Sequence, residues 1–184
     1  MSAIPHSLKV EHDELHEELA RATREPGAVG EAARAVAKVL HAHFVKEEQF
    51  AMPPLGALAA AARDDTVPGR EEVIAQAKRV ADELPRMLAE HREIVAALTH
   101  LESTAREADK PEHARFAEKL RLHAQTEEEV LYPAAILVGR VLAASRATKK
   151  PPARKKRPAP RKRPAPPVRQ PDRNRKAPRQ PPRR

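Results

Sequence analysis

Much of the sequence consists of one pattern that occurs twice. Residues 40–53 contain a Leu, a His, two adjacent Glu and a Pro, and the same spacing recurs 80 residues later, in residues 120–133. Upstream of each stretch, a Glu-His pair followed by two apolar residues recurs at an offset of 79, as Glu11-His12 and Glu90-His91. A fixed internal repeat indicates that each copy is one structural unit and that the copies pack together. The sequence therefore predicts a domain made of two similar halves.

Four segments show the apolar periodicity of amphipathic helices, with proline or glycine between them. They are residues 6–24, 30–50, 70–107 and 111–133. Short links join the first to the second and the third to the fourth, which indicates antiparallel neighbours. We predict an all-α fold: an up-down-up-down antiparallel four-helix bundle in residues 1–145, then a disordered C-terminal tail in residues 146–184. Pro85 predicts a kink, and residues 55–62 and 134–144 could add a short helix and an extension of the fourth helix.

Polar residues share the apolar face of each predicted helix. Successive helical residues turn by about 100°, so the His-x3-Glu pairs of the second and fourth segments fall on the same stripe as Leu40 and Leu120. In the first and third segments, the histidine of each Glu-His pair, His12 and His91, also lies on an apolar stripe. The ionisable residues predicted to face the interior are His12, His43, Glu47, His91, His123 and Glu127.

Buried ionisable side chains need partners, because a buried carboxylate left unpaired loses much of its solvation free energy. One hypothesis is that these residues satisfy one another by hydrogen bonds. The other is a metal centre, in which imidazole nitrogens and carboxylate oxygens become ligands and the charges cancel. A His and a Glu spaced i, i+4 can reach one or two adjacent ions, and nitrogen and oxygen donors without thiolate favour Fe, Mn or Zn. The pattern suits two ions, with each Glu able to bridge them.

These motifs resemble the hemerythrin-like (HHE) cation-binding family, whose repeated unit is His, His and Glu on up-and-down helices. The resemblance covers about residues 4–139 and rests on Glu11-His12, His43-Phe-Val-Lys-Glu47-Glu48, Glu90-His91 and His123-Ala-Gln-Thr-Glu127-Glu128. It implies two iron ions in a non-haem di-iron centre that meets O2, NO or peroxide, or that senses iron. The metal ligands implied by position are His12, His43, Glu47, His91, His123 and Glu127.

One position departs from the oxygen-carrying members of that family. They have a second histidine four residues after the histidine of the third segment, where this chain has Val95. His16, on the inward face of the first segment, could supply a further imidazole. The departure argues against reversible O2 carriage and leaves a binding, sensing or scavenging role. No catalytic residue is predicted, and a di-iron oxidase or peroxidase is an alternative.

Other polar residues near the motifs have two interpretations. Glu48, Glu128 and Glu129 are either surface charges or hydrogen-bond partners of ligand imidazoles. Tyr132 could hydrogen-bond within the site, but its repeat counterpart is Met52, which favours a packing role. The remaining histidines, expected on solvated faces or near helix ends, are His6, His41, His100 and His113.

The last part of the chain has a different composition. Residues 149–184 contain 16 Lys or Arg, one acid and 11 of the 19 prolines, so they carry +15 while the rest carries −6. Such a segment cannot form an apolar core and favours extended polyproline conformations. It could bind nucleic acid or another polyanion nonspecifically, because it has basic charge but no aromatic residue for base stacking. A nucleic-acid-associated protein with a metal-stabilised scaffold is therefore a further alternative.

The composition also excludes several classes of protein. Cysteine is absent, so iron–sulfur clusters, disulfide scaffolds and cysteine nucleophiles are excluded. We see no signal peptide and no apolar stretch long enough to span a membrane. A cytoplasmic protein without membrane contact is expected.

Overall fold

The computed structural model describes residues 4–149, with side chains through residue 145. This part of the chain is helical and contains no strand, so the all-α prediction is confirmed. The α-helices are α1 (His6–Ala22), α2 (Ala28–Lys46), α3 (Leu58–Ala62), α4 (Arg70–Glu107), α5 (Pro111–Thr126) and α6 (Tyr132–Lys149). A 3-10 helix, Pro53–Ala57, precedes α3. The packed helices are consistent with a bundle.

Helix boundaries follow local sequence signals. Gly27 and Gly69 precede α2 and α4 with φ of 72° and 66°, a conformation that glycine adopts without a Cβ clash. Pro111 is the first residue of α5, where its missing N–H would be unpaired in any case. The third predicted segment, 70–107, coincides with α4, which continues through Pro85. The predicted disordered tail begins too early, because residues 146–149 belong to α6; the rest of it, from residue 150 onward, lies outside the described residues.

Two π-helical turns interrupt the α-helical geometry, and each begins at the glutamate of a His-x3-Glu motif. They span Glu47–Ala51 and Glu127–Leu131, and in both cases a proline follows two residues later. In an α-helix, the proline ring would clash with the carbonyl four residues before it. The wider turns give the chain a path past these prolines, and Met52 N–H accordingly binds the Glu47 carbonyl at 2.8 Å.

The long helix α4 organises the core, because α2, α5 and α6 all pack against it. One apolar cluster joins α1, α2, α4 and α5, and a second contains Phe50, Met87 and Tyr132. On α4, His91 lies between Met87 of the second cluster and Ile94 of the first. The polar residues of the repeat are therefore placed between two apolar clusters.

Helix α6 packs closely on the first half of α4. A third cluster includes Val73 of α4 and Val138 and Leu142 of α6. At Gly139 the two helices approach so closely that a Cβ atom would lie 2.3 Å from Ala77 Cβ. Among the described residues, none of the helices carries an apolar stretch sufficient to cross a membrane.

Candidate metal centre

The structure buries all six inward-facing residues that the repeat predicts. Their exposed fractions range from 0% for His12 and Glu47 to 4% for His123. Their ligand atoms form two groups, within each of which all atoms lie within 4.8 Å of one another. The first contains His43, Glu47, His91 and Glu127, and the second contains His12, His123 and Glu127. The prediction that these residues face the interior is confirmed.

The four histidines meet in two pairs. The Nε2 atoms of His43 and His91, on α2 and α4, are 2.7 Å apart, and we call the space between them the His43–His91 position. The Nε2 atoms of His12 and His123, on α1 and α5, are 3.2 Å apart and define the His12–His123 position. Each pair combines one histidine from each half of the repeat.

Both glutamates reach from one histidine pair to the other. Glu127 Oε1 lies 3.1 Å from His123 Nε2 and 3.7 Å from His12 Nε2, while its Oε2 lies 3.5 Å from His91 Nε2. Glu47 does the reverse: its Oε1 lies 3.0 Å from His43 Nε2 and its Oε2 lies 3.8 Å from His12 Nε2. Each carboxylate therefore presents one oxygen to each position.

The outward nitrogens of the histidines face four further glutamates, one for each imidazole. His43 Nδ1 is 3.0 Å from Glu90, and His91 Nδ1 is 2.9 Å from Glu128. His123 Nδ1 is 3.2 Å from Glu11, and His12 Nδ1 is 3.7 Å from Glu48, which is too far for a hydrogen bond. Carboxylates in this place keep the proton on Nδ1 and turn the Nε2 lone pair towards the interior.

The charges of the centre act strongly on one another. Burial lowers the pKa of His91, but Glu127, Glu47 and Glu128 outweigh it and raise the pKa to about 10. The pKa of His123 is likewise lowered by burial but raised by Glu127 to about 9. Burial would raise the pKa of Glu127, yet the neighbouring imidazoles of His12, His123 and His91 hold it well below its ordinary value. The buried carboxylates therefore strongly favour positive charge on the groups that surround them.

This geometry fits a metal cation. When both imidazoles of a pair are neutral and protonated at Nδ1, their Nε2 lone pairs face each other, and a cation between them, whether a proton or a metal ion, removes the repulsion. Glu47 Oε2 and Glu127 Oε1 are buried and form no hydrogen bond with any described residue. Such orphaned atoms are costly unless they bind something. Imidazole nitrogens and carboxylate oxygens are suitable donors for first-row divalent ions.

A family model for the hemerythrin HHE cation-binding domain matches residues 3–135, which include all six clustered residues. The chain belongs to this family. The resemblance in the sequence is thus confirmed, and the cation-binding character of the domain agrees with the His and Glu groups. The match ends shortly after α6 begins, so most of this HHE protein's last helix lies beyond it. No curated protein and no solved structure matches the chain.

His16, the seventh candidate, is not brought into either group of this HHE domain. Its half-buried ring meets the edge of Phe44 at 4.7 Å, and Phe44 in turn stacks on His12 at 4.4 Å. His16 lines a surface groove of about 570 Å³ between α1 and α2. Val95 is also half-buried. Glu129 is exposed and bonded to Gln125, so of its two interpretations the surface charge applies.

The contacts of Glu11 and Glu90 were not predicted from the sequence. Each of them directly precedes a histidine of the repeat, and the two positions are related by the offset of 79. This repetition could have indicated a shared role: Glu11 lies against His123 and Glu90 against His43, in each case on another helix. Tyr132 packs in the second apolar cluster as expected, and its hydroxyl also lies within the site, as the alternative interpretation proposed, 3.3 Å from His43 Nε2 and 3.2 Å from His91 Nε2. The spacing rules of an α-helix do not place it there.

A third group of His and Glu lies at the other end of the domain. His113, only 7% exposed, has its Nε2 3.3 Å from Glu25 and 3.8 Å from Glu112. Lys110 Nζ lies 3.0 Å from Glu25 and already supplies positive charge there. This group connects the α1–α2 link to the start of α5. His113 is near a helix end as predicted, but its burial was not foreseen.

Proposed function

We propose that the domain holds two metal ions, most simply iron, at the His43–His91 and His12–His123 positions. The ligands are His12, His43, Glu47, His91, His123 and Glu127. The observation that carries the proposal is the arrangement of two imidazole pairs joined by two carboxylates that each span both positions. Mn or Zn would suit the same nitrogen and oxygen donors.

Each residue of the proposed centre has a distinct task. The four imidazoles bind through Nε2, while Glu90, Glu128 and Glu11 hold three of the rings by their Nδ1 atoms. Glu47 and Glu127 bridge the two positions and neutralise positive charge. Phe44 covers the His12 ring and excludes water from one side. When bound, two irons would supply electrons to a small oxidant.

The small ligand is proposed to be O2, NO or peroxide, bound for sensing or scavenging. The donors are almost fully buried, which favours a small ligand, and Val95 stands where the oxygen carriers have a further histidine. An oxidase or peroxidase using the same centre is the alternative. Steady turnover of a reducing substrate would identify such an enzyme, whereas a binder or sensor would give a single stoichiometric reaction.

The up-down-up-down topology is also part of the proposal. Near the start of α1, Lys9 reaches Glu48 after the end of α2, whereas Thr23 after the end of α1 accepts a hydrogen bond from Arg34 near the start of α2. This order of contacts supports an antiparallel pair. The proposed domain comprises residues 1–145 in a cytoplasmic protein.

The test is the metal content of full-length protein purified without chelator, with an absorbance spectrum before and after exposure to air. About two irons per chain are expected. His43→Ala should lose most of the metal, whereas His41→Ala, two residues away on the same helix but exposed, should retain it. Wild-type protein that binds neither Fe(II), Mn(II) nor Zn(II), with unchanged thermal stability, would contradict the proposal.

A second proposal concerns residues 149–184, which carry +15 and could tether the domain to nucleic acid. The sequence composition supports it, since neutralising phosphates with Lys and Arg releases counterions. If DNA binding were the main function and the metal served only as a scaffold, His43→Ala would lose stability and keep DNA binding. If metal-dependent sensing is the function, that variant would lose the response to oxidant.

A further inference from the structure

The hydroxyl of Tyr132 lies inside the candidate centre. The ring is 2% exposed, and the hydroxyl donates a short hydrogen bond to Glu47 Oε1. Burying a hydroxyl among ligand atoms is unexpected for a residue whose only role is packing.

The distances around this hydroxyl resemble those between neighbouring ligands of one ion. Two adjacent ligands of a six-coordinate ion with bonds of about 2.1 Å lie about 3 Å apart. The Tyr132 oxygen lies 3.3 Å from His43 Nε2 and 3.2 Å from His91 Nε2, and it contacts Glu47 Oε1. It therefore has the spacing of a further ligand at the His43–His91 position.

The π-helical turn is what aims Tyr132 at this position. Tyr132 follows Glu127 by five residues, and in an α-helix five residues turn about 500°, which leaves the two side chains about 140° apart. In a π-helical turn the hydrogen bond closes between residues i and i+5, which brings them onto one face. Tyr132 N–H binds the Glu127 carbonyl in this way.

We propose that the phenolic oxygen of Tyr132 is a further metal ligand at the His43–His91 position, which makes the two metal positions unequal. The inference rests on the proposed function. When the metal binds, the Tyr132 O–H bond breaks, an oxygen–metal bond forms, and the proton is released to solvent. Metal binding at protonated ligands releases protons in this manner.

The other half of the repeat lacks this ligand. The counterpart of Tyr132 is Met52, at the same offset of 80 that relates Glu47 to Glu127. Met52 is buried but has only a thioether sulfur, a poor partner for iron compared with a phenolate. The His12–His123 position therefore has one strong donor fewer.

The decisive experiment uses the full-length protein loaded with Fe(II) without air and then oxidised with ferricyanide. Phenolate bound to ferric iron gives a visible charge-transfer band, and resonance Raman excitation in that band enhances tyrosine ring vibrations. The chain has one tyrosine, so any such signal belongs to Tyr132. We expect the band in the wild type, its complete loss in Tyr132→Phe with iron still bound, and its retention in Met52→Leu.

The possible results separate this inference from the proposed function. Two irons per chain without tyrosine vibrations in the wild type would overturn the tyrosine ligand and leave the di-iron centre standing. Protein that binds no iron would overturn both. Because the wild-type spectrum alone decides whether the tyrosine binds iron, the test does not depend on Tyr132→Phe folding.

Discussion

Glu128 and Glu129 are neighbours in the sequence, yet their side chains have different surroundings. Both are exposed, but Glu128 lies 2.9 Å from His91 Nδ1, whereas Glu129 accepts a hydrogen bond from Gln125. A carboxylate on the outward nitrogen orients the ring and increases the basicity of Nε2. At the scale of single residues, the orientation of His91 in the candidate centre thus involves only one of two identical neighbouring side chains.

We expect Glu128→Gln to weaken iron binding by about 10- to 100-fold, because the amide orients His91 but carries no charge to support it. Glu129→Gln should bind iron as the wild type does. Competition against a chromophoric chelator measures both affinities. Equal affinities for the two variants would show that the Glu128 contact has no influence on the metal.

The shifted pKa values of three buried residues predict how the stability of the metal-free protein depends on pH. His91 and His123 have pKa values raised from 6.5 to about 10 and about 9, so their stabilisation is complete below pH 6.5 and is lost as the pH rises towards 10. Glu127 has a lowered pKa, so its contribution is present above pH 4.5 and is lost at more acidic pH. The metal-free protein should be most stable between these limits.

Thermal unfolding followed by circular dichroism, with chelator present, checks this dependence. We expect the Tm of the metal-free protein to fall between pH 6.5 and 9. Iron affinity should rise over the same range, because the imidazoles must lose their protons to bind metal. A metal-free Tm that increases with pH would mean that the histidines do not carry the raised pKa values.

At the scale of secondary-structure elements, α4 and α6 pack so closely that a small side chain is required where they meet. Gly139 faces Ala77 with no room for a methyl group, since the added Cβ would lie 2.3 Å from Ala77 Cβ. Both atoms belong to helices, so relief requires a shift of a whole helix. Most of α6 lies beyond the part of the chain that matches the family.

Gly139→Ala should therefore destabilise the protein by about 1–3 kcal/mol through overpacking, despite the higher helix propensity of alanine. Gly56→Ala is the matched control, because Gly56 is exposed and has no positive φ, and it should change stability by less than about 0.5 kcal/mol. Chemical denaturation measures both. A Gly139→Ala protein as stable as the wild type would show that α6 moves freely against α4.

At the scale of the whole molecule, two parts of opposite charge share one chain. Residues 149–184 carry +15, and the remainder carries −6. If the basic residues bind phosphates, DNA affinity must fall steeply with salt and must not depend on the metal. The two proposed functions would then be separable by truncation.

We expect a protein ending at residue 149 to lose retention on DNA at low salt while its iron content stays unchanged. The slope of log affinity against log salt, measured by fluorescence anisotropy, should fall from several units towards zero. A truncated protein that still binds DNA would assign the interaction to the helical domain. A truncated protein without iron would show that the two parts are not independent.

Much of this protein follows from local sequence patterns. The bounds of α4 coincide with the predicted segment, and the six inward-facing residues were identified from the helical period, because a turn of about 100° per residue is the same in every α-helix. The internal repeat likewise indicated that the polar residues come in two matching sets. These features need no knowledge of which helices touch.

The tertiary structure decided which atoms meet. It paired His43 with His91 and His12 with His123, placed Glu90 on a histidine of another helix, and left His16 outside both groups. It also brought Tyr132 into the centre through a π-helical turn that the α-helical period does not describe. Helix-to-helix distances and local changes of helical pitch depend on packing across the whole core, and a periodic pattern in one segment contains no information about them.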